Sequence, residues 1–200
     1  LDKTGTLTAP EMDLADIVPA DGLSTADHQR ARSAVAALAR IDETPNPTMR
    51  AIIEAVPPAD GFVAAATVPF SSARKYSAAR FAEHGGWCLG APEVVLPADA
   101  PLRAQAERIA ATGMRVLALG ELPDGVLPEG ALRDGRPFPG STGTRSGEAA
   151  SPTIRPAALV VLRQRLRPDA AETLAYLHDE GVALKIFSGD HAESVGAGAA

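Results

Sequence analysis

Two short polar turns near opposite ends of a 200-residue chain limit its fold more than anything between them. They are Asp2-Lys3-Thr4-Gly5-Thr6-Leu7-Thr8 and Ser188-Gly189-Asp190. Leu1-Asp2, with Leu7 at its far end, reads as a strand ending in a loop. Val182 to Phe187 reads as a strand that delivers Ser188-Gly189-Asp190 at its carboxyl end. In an open α/β sheet the carboxyl ends of adjacent parallel strands gather at one edge, so Asp2 and Asp190 can share a site. The residues between them must then form a separate unit inserted into the sheet domain.

The first turn is built for phosphate. Asp2 is the candidate nucleophile and Lys3 supplies nearby positive charge. Gly5 lets the backbone approach a phosphoryl group, and Thr4 and Thr6 can hydrogen-bond its oxygens. Attack by Asp2 on the terminal phosphate of ATP would leave an aspartyl-phosphate. Two places after the nucleophile stands Thr4, whose hydroxyl cannot efficiently deprotonate a water attacking that intermediate, so the phosphoaspartate is expected to persist.

Ala26 to Arg40 has an amphipathic helical pattern with Thr25 or Asp27 as cap, and Met49 to Val56 makes a second helix stopped by Pro57-Pro58. Phe62 to Phe70, Tyr76 to Phe81 and Trp87 to Leu89 are predicted strands of an antiparallel meander, with turns at Ser71-Ser72 and His84-Gly85-Gly86. Leu102 to Ala111 predicts a helix and Met114 to Leu119 a strand. Residues 123–156 lack periodicity and read as a flexible Pro/Gly-rich connection. A strand Ala157 to Leu162, a helix Pro168 to Glu180 and the strand Val182 to Phe187 then form a β-α-β unit.

Composition narrows the function. A net charge of −6 with no Lys/Arg run argues against a nucleic-acid partner. The single Cys88 excludes an internal disulfide and fits a reducing compartment. His28, His84, His178 and His191 lack zinc-ligand spacing, and no apolar run approaches the roughly 20 residues of a membrane helix. The chain starts at Leu1 directly on the nucleophile turn and stops at Ala200 within a helical pattern, as expected of a piece of a longer polypeptide.

The run Asp2 to Thr8 resembles the phosphorylation motif of the P-type cation-transporting ATPases, and Ser188-Gly189-Asp190 resembles their Thr-Gly-Asp motif, which helps hold nucleotide phosphates. Pro69-Phe70-Ser71-Ser72-Ala73-Arg74-Lys75 is similar to the stretch in which a Phe stacks on adenine and a Lys lines the pocket. Leu89-Gly90-Ala91-Pro92-Glu93 matches Lys-Gly-Ala-Pro-Glu except at Leu89, which can offer adenine only apolar contact. Thr112 to Leu119 resembles the segment whose Arg, here Arg115, contacts phosphates. Asn46-Pro47-Thr48-Met49 carries Met49 where the family usually has an acidic residue, and Leu166-Arg167-Pro168-Asp169 resembles the run into the second half of the phosphorylation domain.

The resemblance implies an α/β chain: an incomplete, haloacid dehalogenase-like parallel-sheet phosphorylation domain holding an inserted α+β nucleotide-binding domain built on an antiparallel sheet. The implied boundaries are 1–12 and 155–200 for the phosphorylation domain and 13–154 for the insertion. Asp2, Lys3 and Thr4 would be catalytic, with Mg²⁺ on Asp2 and Thr4. Phe70, Ser72, Lys75, Gly90, Arg115, Ser188, Gly189 and Asp190 would bind ATP. The implied whole is a pump at the cytoplasmic face of the cell membrane, of the bacterial calcium-type branch. Its actuator domain, its membrane helices and a Gly-Asp-Gly-Val-Asn-Asp segment completing the Mg²⁺ site would lie outside this window. Two rival readings remain: a soluble phosphatase of the same superfamily, and a nucleotide-binding module without catalysis.

Overall fold

The computed structural model describes residues 8–122, 127–128, 132–133, 136–137 and 154–167. The predicted strand at Leu1-Asp2, the helix Pro168 to Glu180, the strand Val182 to Phe187 and the candidates Asp2, Lys3, Thr4, Ser188, Gly189 and Asp190 lie outside the described residues.

In chain order the elements are β1 (Thr8–Pro19), α1 (Thr25–Leu38), α2 (Pro47–Ala55), β2 (Ala64–Val68), β3 (Tyr76–Phe81), β4 (Gly85–Gly90), α3 (Pro92–Val95), α4 (Pro101–Ala111), β5 (Arg115–Leu122), β6 (Leu132–Arg133), β7 (Arg136–Pro137) and β8 (Arg155–Leu166). Six strands form one sheet in the order β1-β8-β5-β4-β3-β2, and every pairing in it is antiparallel. Strands β6 and β7 make a small separate ladder within the segment expected to be flexible.

The sheet separates two cores. On one face Ala79, Phe81, Trp87, Leu89, Leu119, Val160 and Leu162 pack with Ala31, Val35 and Leu38 of α1 and Met49 and Ile52 of α2. On the other, Tyr76, Ala78, Cys88, Val116, Ala118 and Leu159 pack with Val95 of α3, Leu96, and Leu102 and Ala106 of α4. The alternation of neighbouring residues between the two clusters is the period-2 pleat, with both faces covered. Burial of each large aliphatic contributes about 1.5–3 kcal/mol.

Local chemistry fixes the helices. Helix α1 is capped by Ser24, not by Thr25 or Asp27 as the sequence suggested: Asp27 N–H donates to Ser24 Oγ at 3.2 Å, and the Asp27 carboxylate accepts from Ser24 N–H and Oγ–H at 3.2 and 2.6 Å. Asp27 serves as the third-position acid of a capping box, which its sequence spacing from Ser24 allows. Asn46 caps α2 by accepting from Met49 N–H at 3.1 Å, Pro47 opens the helix, and Val56 before Pro57 is extended.

One pairing differs from expectation in a way that matters. The run Ala157–Leu162 is a strand, but its described partners are antiparallel: β8 lies between β1 and β5, with Ile17 opposite Val160 and Leu117 opposite Val160 on the other side. It therefore completes the antiparallel sheet instead of entering a parallel one. Its six residues are all buried, because as an interior strand it is covered on both faces. Strand β1, absent from the sequence reading, supplies the edge beside it; its Asp13 and Asp16 and two prolines hid an apolar set of Met12, Leu14 and Ile17.

Candidate functional site

Antiparallel order brings alternate strand ends to the same side of the sheet. Val68 at the end of β2 lies opposite Ala78, Tyr76 at the start of β3 lies opposite Gly90 at the end of β4, and Gly90 lies opposite Ala118, three residues into β5 from Arg115. Phe70, Ser72, Lys75, Gly90 and Arg115 are thereby gathered along one edge, although 45 residues separate the first from the last. Phe70 is 42% exposed, an unusual state for a large apolar ring in this chain, which leaves a face free. Ser72 is exposed in the turn between β2 and β3, and the Arg115 guanidinium is exposed and forms no hydrogen bond or ion pair with a described residue.

Lys75 is the best-determined member. Its φ of +60° is the single positive value among the described non-glycine residues. For a residue with a Cβ that conformation costs about 1–2 kcal/mol, so the surroundings must impose it. They do: Lys75 N–H donates to Ser71 C=O at 2.7 Å, and Lys75 C=O accepts from Ala91 N–H at 2.9 Å. The Lys75 ammonium pairs with Glu93 of α3 at 3.2 Å. Arg74 beside it donates to Pro69 C=O at 2.7 Å and so closes the Phe70 loop, while its Nε is buried without a hydrogen-bond partner among the described residues.

The same contacts explain Gly90. A Cβ there would sit 2.5 Å from Lys75 O, 2.5 Å from Tyr76 Cβ and 2.7 Å from Tyr76 Cα. The glycine thus has a packing reason of its own, distinct from the close ligand approach expected of it. Leu89 also departs from its expected role. It is 1% exposed and sits in the core beneath α1 and α2, so it presents nothing to a ligand surface. Met49 likewise is buried at the start of α2, where Thr48 Oγ–H donates to Met12 Sδ at 3.5 Å.

Two residues were missed. Glu93 lies inside the quoted Gly-Ala-Pro-Glu run yet was given no role, and its pairing with Lys75 needs the fold to bring positions 18 apart together. Tyr76 is buried behind the edge, its hydroxyl donating to Pro128 C=O at 3.2 Å, and burial raises its pKa.

The opposite edge holds a tighter aromatic group. Phe62 stacks on His84 with centroids 4.0 Å apart, and Arg30 lies 5.2 Å over Trp87 and bridges to Glu121 at 2.8 Å. Trp87 Nε1–H and Arg30 both donate to His84 C=O, which ties α1 to the β3–β4 turn. A cleft of about 280 Å³ between α1 and β2 is lined by Ala37, Arg40, Ile41, Phe62, Thr67 and Phe81 among others, and contains none of the candidates. Arg40 donates there from Nη1 to the Ala36 carbonyl and from Nη2 to the Ile53 and Val56 carbonyls. No cluster of three or more potential metal ligands occurs among the described residues, and no described helix is long and apolar enough to cross a membrane.

No protein-family model matches the chain. A calcium-transporting ATPase, CtpE, of Mycolicibacterium smegmatis is 42% identical over 196 residues, and CtpE of Mycobacterium tuberculosis is 41% identical over the same length. A probable cation-transporting ATPase, exp7, of Streptococcus pneumoniae is 31% identical over 195 residues. The chain belongs to the P-type cation-transporting ATPases. Each of these alignments takes in 98% of this chain and 22% of the relative, so the chain spans about a fifth of the P-type relatives it matches. Two crystal structures of a zinc-transporting PIB-type ATPase, each in a different state, share the fold at TM-scores of 0.58 and 0.60. They are 20% and 19% identical, and the match covers 99% and 98% of this chain and 26% of theirs.

Proposed function

We propose that this P-type ATPase segment binds ATP along the Phe70–Lys75–Gly90–Arg115 edge and carries, at Asp2, the carboxylate that takes the γ-phosphate. The observation that supports this most is the gathering of an exposed aromatic face and two exposed cations on one sheet edge by strands that alternate in direction. An aromatic ring suits a purine base by stacking, and the flanking cations suit its phosphates. Residues 8–166, from β1 to β8, would form the nucleotide-binding insertion, flanked by the two parts of a haloacid dehalogenase-like phosphorylation domain. The pairing of β1 with β8 supports taking both strands into the insertion, beyond the 13–154 read in the sequence.

In this reading hinge closure brings the γ-phosphate to Asp2, and Lys3 offsets the charge that develops during in-line transfer. The Asp2 carboxylate and Thr4 carbonyl are hard oxygen donors of the kind Mg²⁺ takes, and the ion would supply further charge neutralisation there. Thr4 leaves the phosphoaspartate without a built-in base, which favours a long-lived intermediate over the phosphatase alternative. Ser188, Gly189 and Asp190 would complete the phosphate side. Across the whole protein, the phosphoaspartate would bias two conformations of a cation site in a membrane domain, with the actuator domain returning the cycle. The names of the CtpE relatives favour calcium as the cation, and the family resemblance implies the cytoplasmic face of the membrane as the place.

The test is phosphoenzyme trapping with labelled ATP on the full-length protein. A hydroxylamine-sensitive label that disappears in Asp2→Asn is expected, and a label that survives that change refutes the assignment. Phe70→Ala should weaken ATP binding roughly 5- to 150-fold, from the ~1–3 kcal/mol that stacking on a base supplies, while lowering the melting temperature less than loss of a fully buried ring would, because Phe70 is 42% exposed.

A further inference from the structure

Lys75 is held twice at one place in the fold. Its backbone is locked in a left-handed conformation by Ser71 and Ala91, and its ammonium is paired with Glu93, two residues beyond Ala91. The two partners differ in freedom. Glu93 stands in α3, which Pro92 opens and which the fully buried Val95 anchors to the core, so its backbone is fixed to the scaffold and its carboxylate rides on a shorter stem than the lysine's. The ammonium is carried on a four-carbon stem that can swing. Both side chains remain about half exposed, 58% for Lys75 and 51% for Glu93, so an anion arriving at the edge can reach the pair.

Resting on the nucleotide reading above, we propose that Glu93 is an internal counter-ion: it positions the Lys75 ammonium at the sheet edge and surrenders it to the phosphates of the incoming nucleotide. An exposed ion pair is weak, because water screens it and two long side chains must be ordered to make it. A polyphosphate carries several charges and strong acceptor oxygens, so exchange from carboxylate to phosphate is favourable. The carboxylate then stays beside the exchanged site as a standing competitor. Weakly charged ligands cannot displace it, and nucleotides with long phosphate chains can. Glu93 is thus a positioning and specificity-setting residue, acting through Lys75.

The test is a double-mutant cycle read by ATP titration of the full-length protein, using wild type, Glu93→Gln, Lys75→Gln and the double variant. Glu93→Gln is expected to tighten ATP binding about two- to fivefold at low salt, the range an exposed pair supports. That gain should shrink at high ionic strength, where exposed charges are screened. In the Lys75→Gln background the gain should vanish. A gain that persists there means the carboxylate merely repels the ligand, and overturns the proposal. So does unchanged or weaker binding in Glu93→Gln alone. A wild-type protein that binds no ATP overturns the nucleotide reading itself, a pattern distinct from either of those. An unchanged melting temperature in Glu93→Gln separates the effect from folding.

Discussion

Replacing Gly90 by Ala separates two explanations of one glycine. The new Cβ would meet Lys75 O and Tyr76 Cβ at 2.5 Å and Tyr76 Cα at 2.7 Å, and two of those atoms belong to backbone. Comfortable carbon contacts begin near 3.5 Å, so strands β3 and β4 must separate by about 1 Å at that end. Overpacking of this kind costs about 1–3 kcal/mol. The displacement also strains the bond from Ala91 N–H to Lys75 C=O, now 2.9 Å, whose loss adds about 1 kcal/mol. A total near 3 kcal/mol corresponds to a fall in melting temperature of roughly 6–12 °C for a chain of this size. Thermal unfolding followed by circular dichroism, beside ATP titration of the same variant, is the measurement. The packing account expects lower stability, and lower affinity only in proportion to displacement of Lys75. A variant that melts within a degree of wild type yet no longer binds ATP would refute it, and would return Gly90 to the role of ligand approach.

Ser24→Ala removes the hydroxyl half of the α1 capping box, leaves the backbone N–H of residue 24 to the Asp27 carboxylate, and should cost about 1 kcal/mol in urea unfolding at pH 7. Hydrogen bonds from Ser24 hold the Asp27 carboxyl below its usual range, so its share of stability is present above the unfolded pKa and is lost as pH falls through the folded one. The gap between wild type and Ser24→Ala should hold steady from pH 7 to about 5 and narrow below about 4; a gap that widens in acid contradicts the capping geometry. Burial pushes the Cys88 thiol up to about 12, so Ellman's reagent should react at pH 8 only as fast as the chain opens. Rapid labelling under native conditions would show that the α3–α4 face is not packed as described.

How much of this could be read in advance depended on whether the signal was local. Tyr76 to Phe81 and the helix ending at Ala111 were legible because alternation and proline or glycine punctuation sit within the segment itself. The strand Ala157 to Leu162 was legible as a strand but not as an antiparallel one, since an apolar run buried on both faces looks the same in either sheet. Its neighbours β1 and β5 decide the matter, and they lie far away in sequence. In the candidate site, Phe70 and Lys75 were nominated by a local run. Leu89 was misjudged because the pleat turns its side chain into the core, a fact set by register. Glu93 escaped because its partner is met only across the β3–β4 edge.

Thr8 and Leu166 are direct partners on neighbouring strands. The described part of the chain therefore enters and leaves the sheet at two neighbouring points about 5 Å apart, so anything that parts β1 from β8 would part those two points as well.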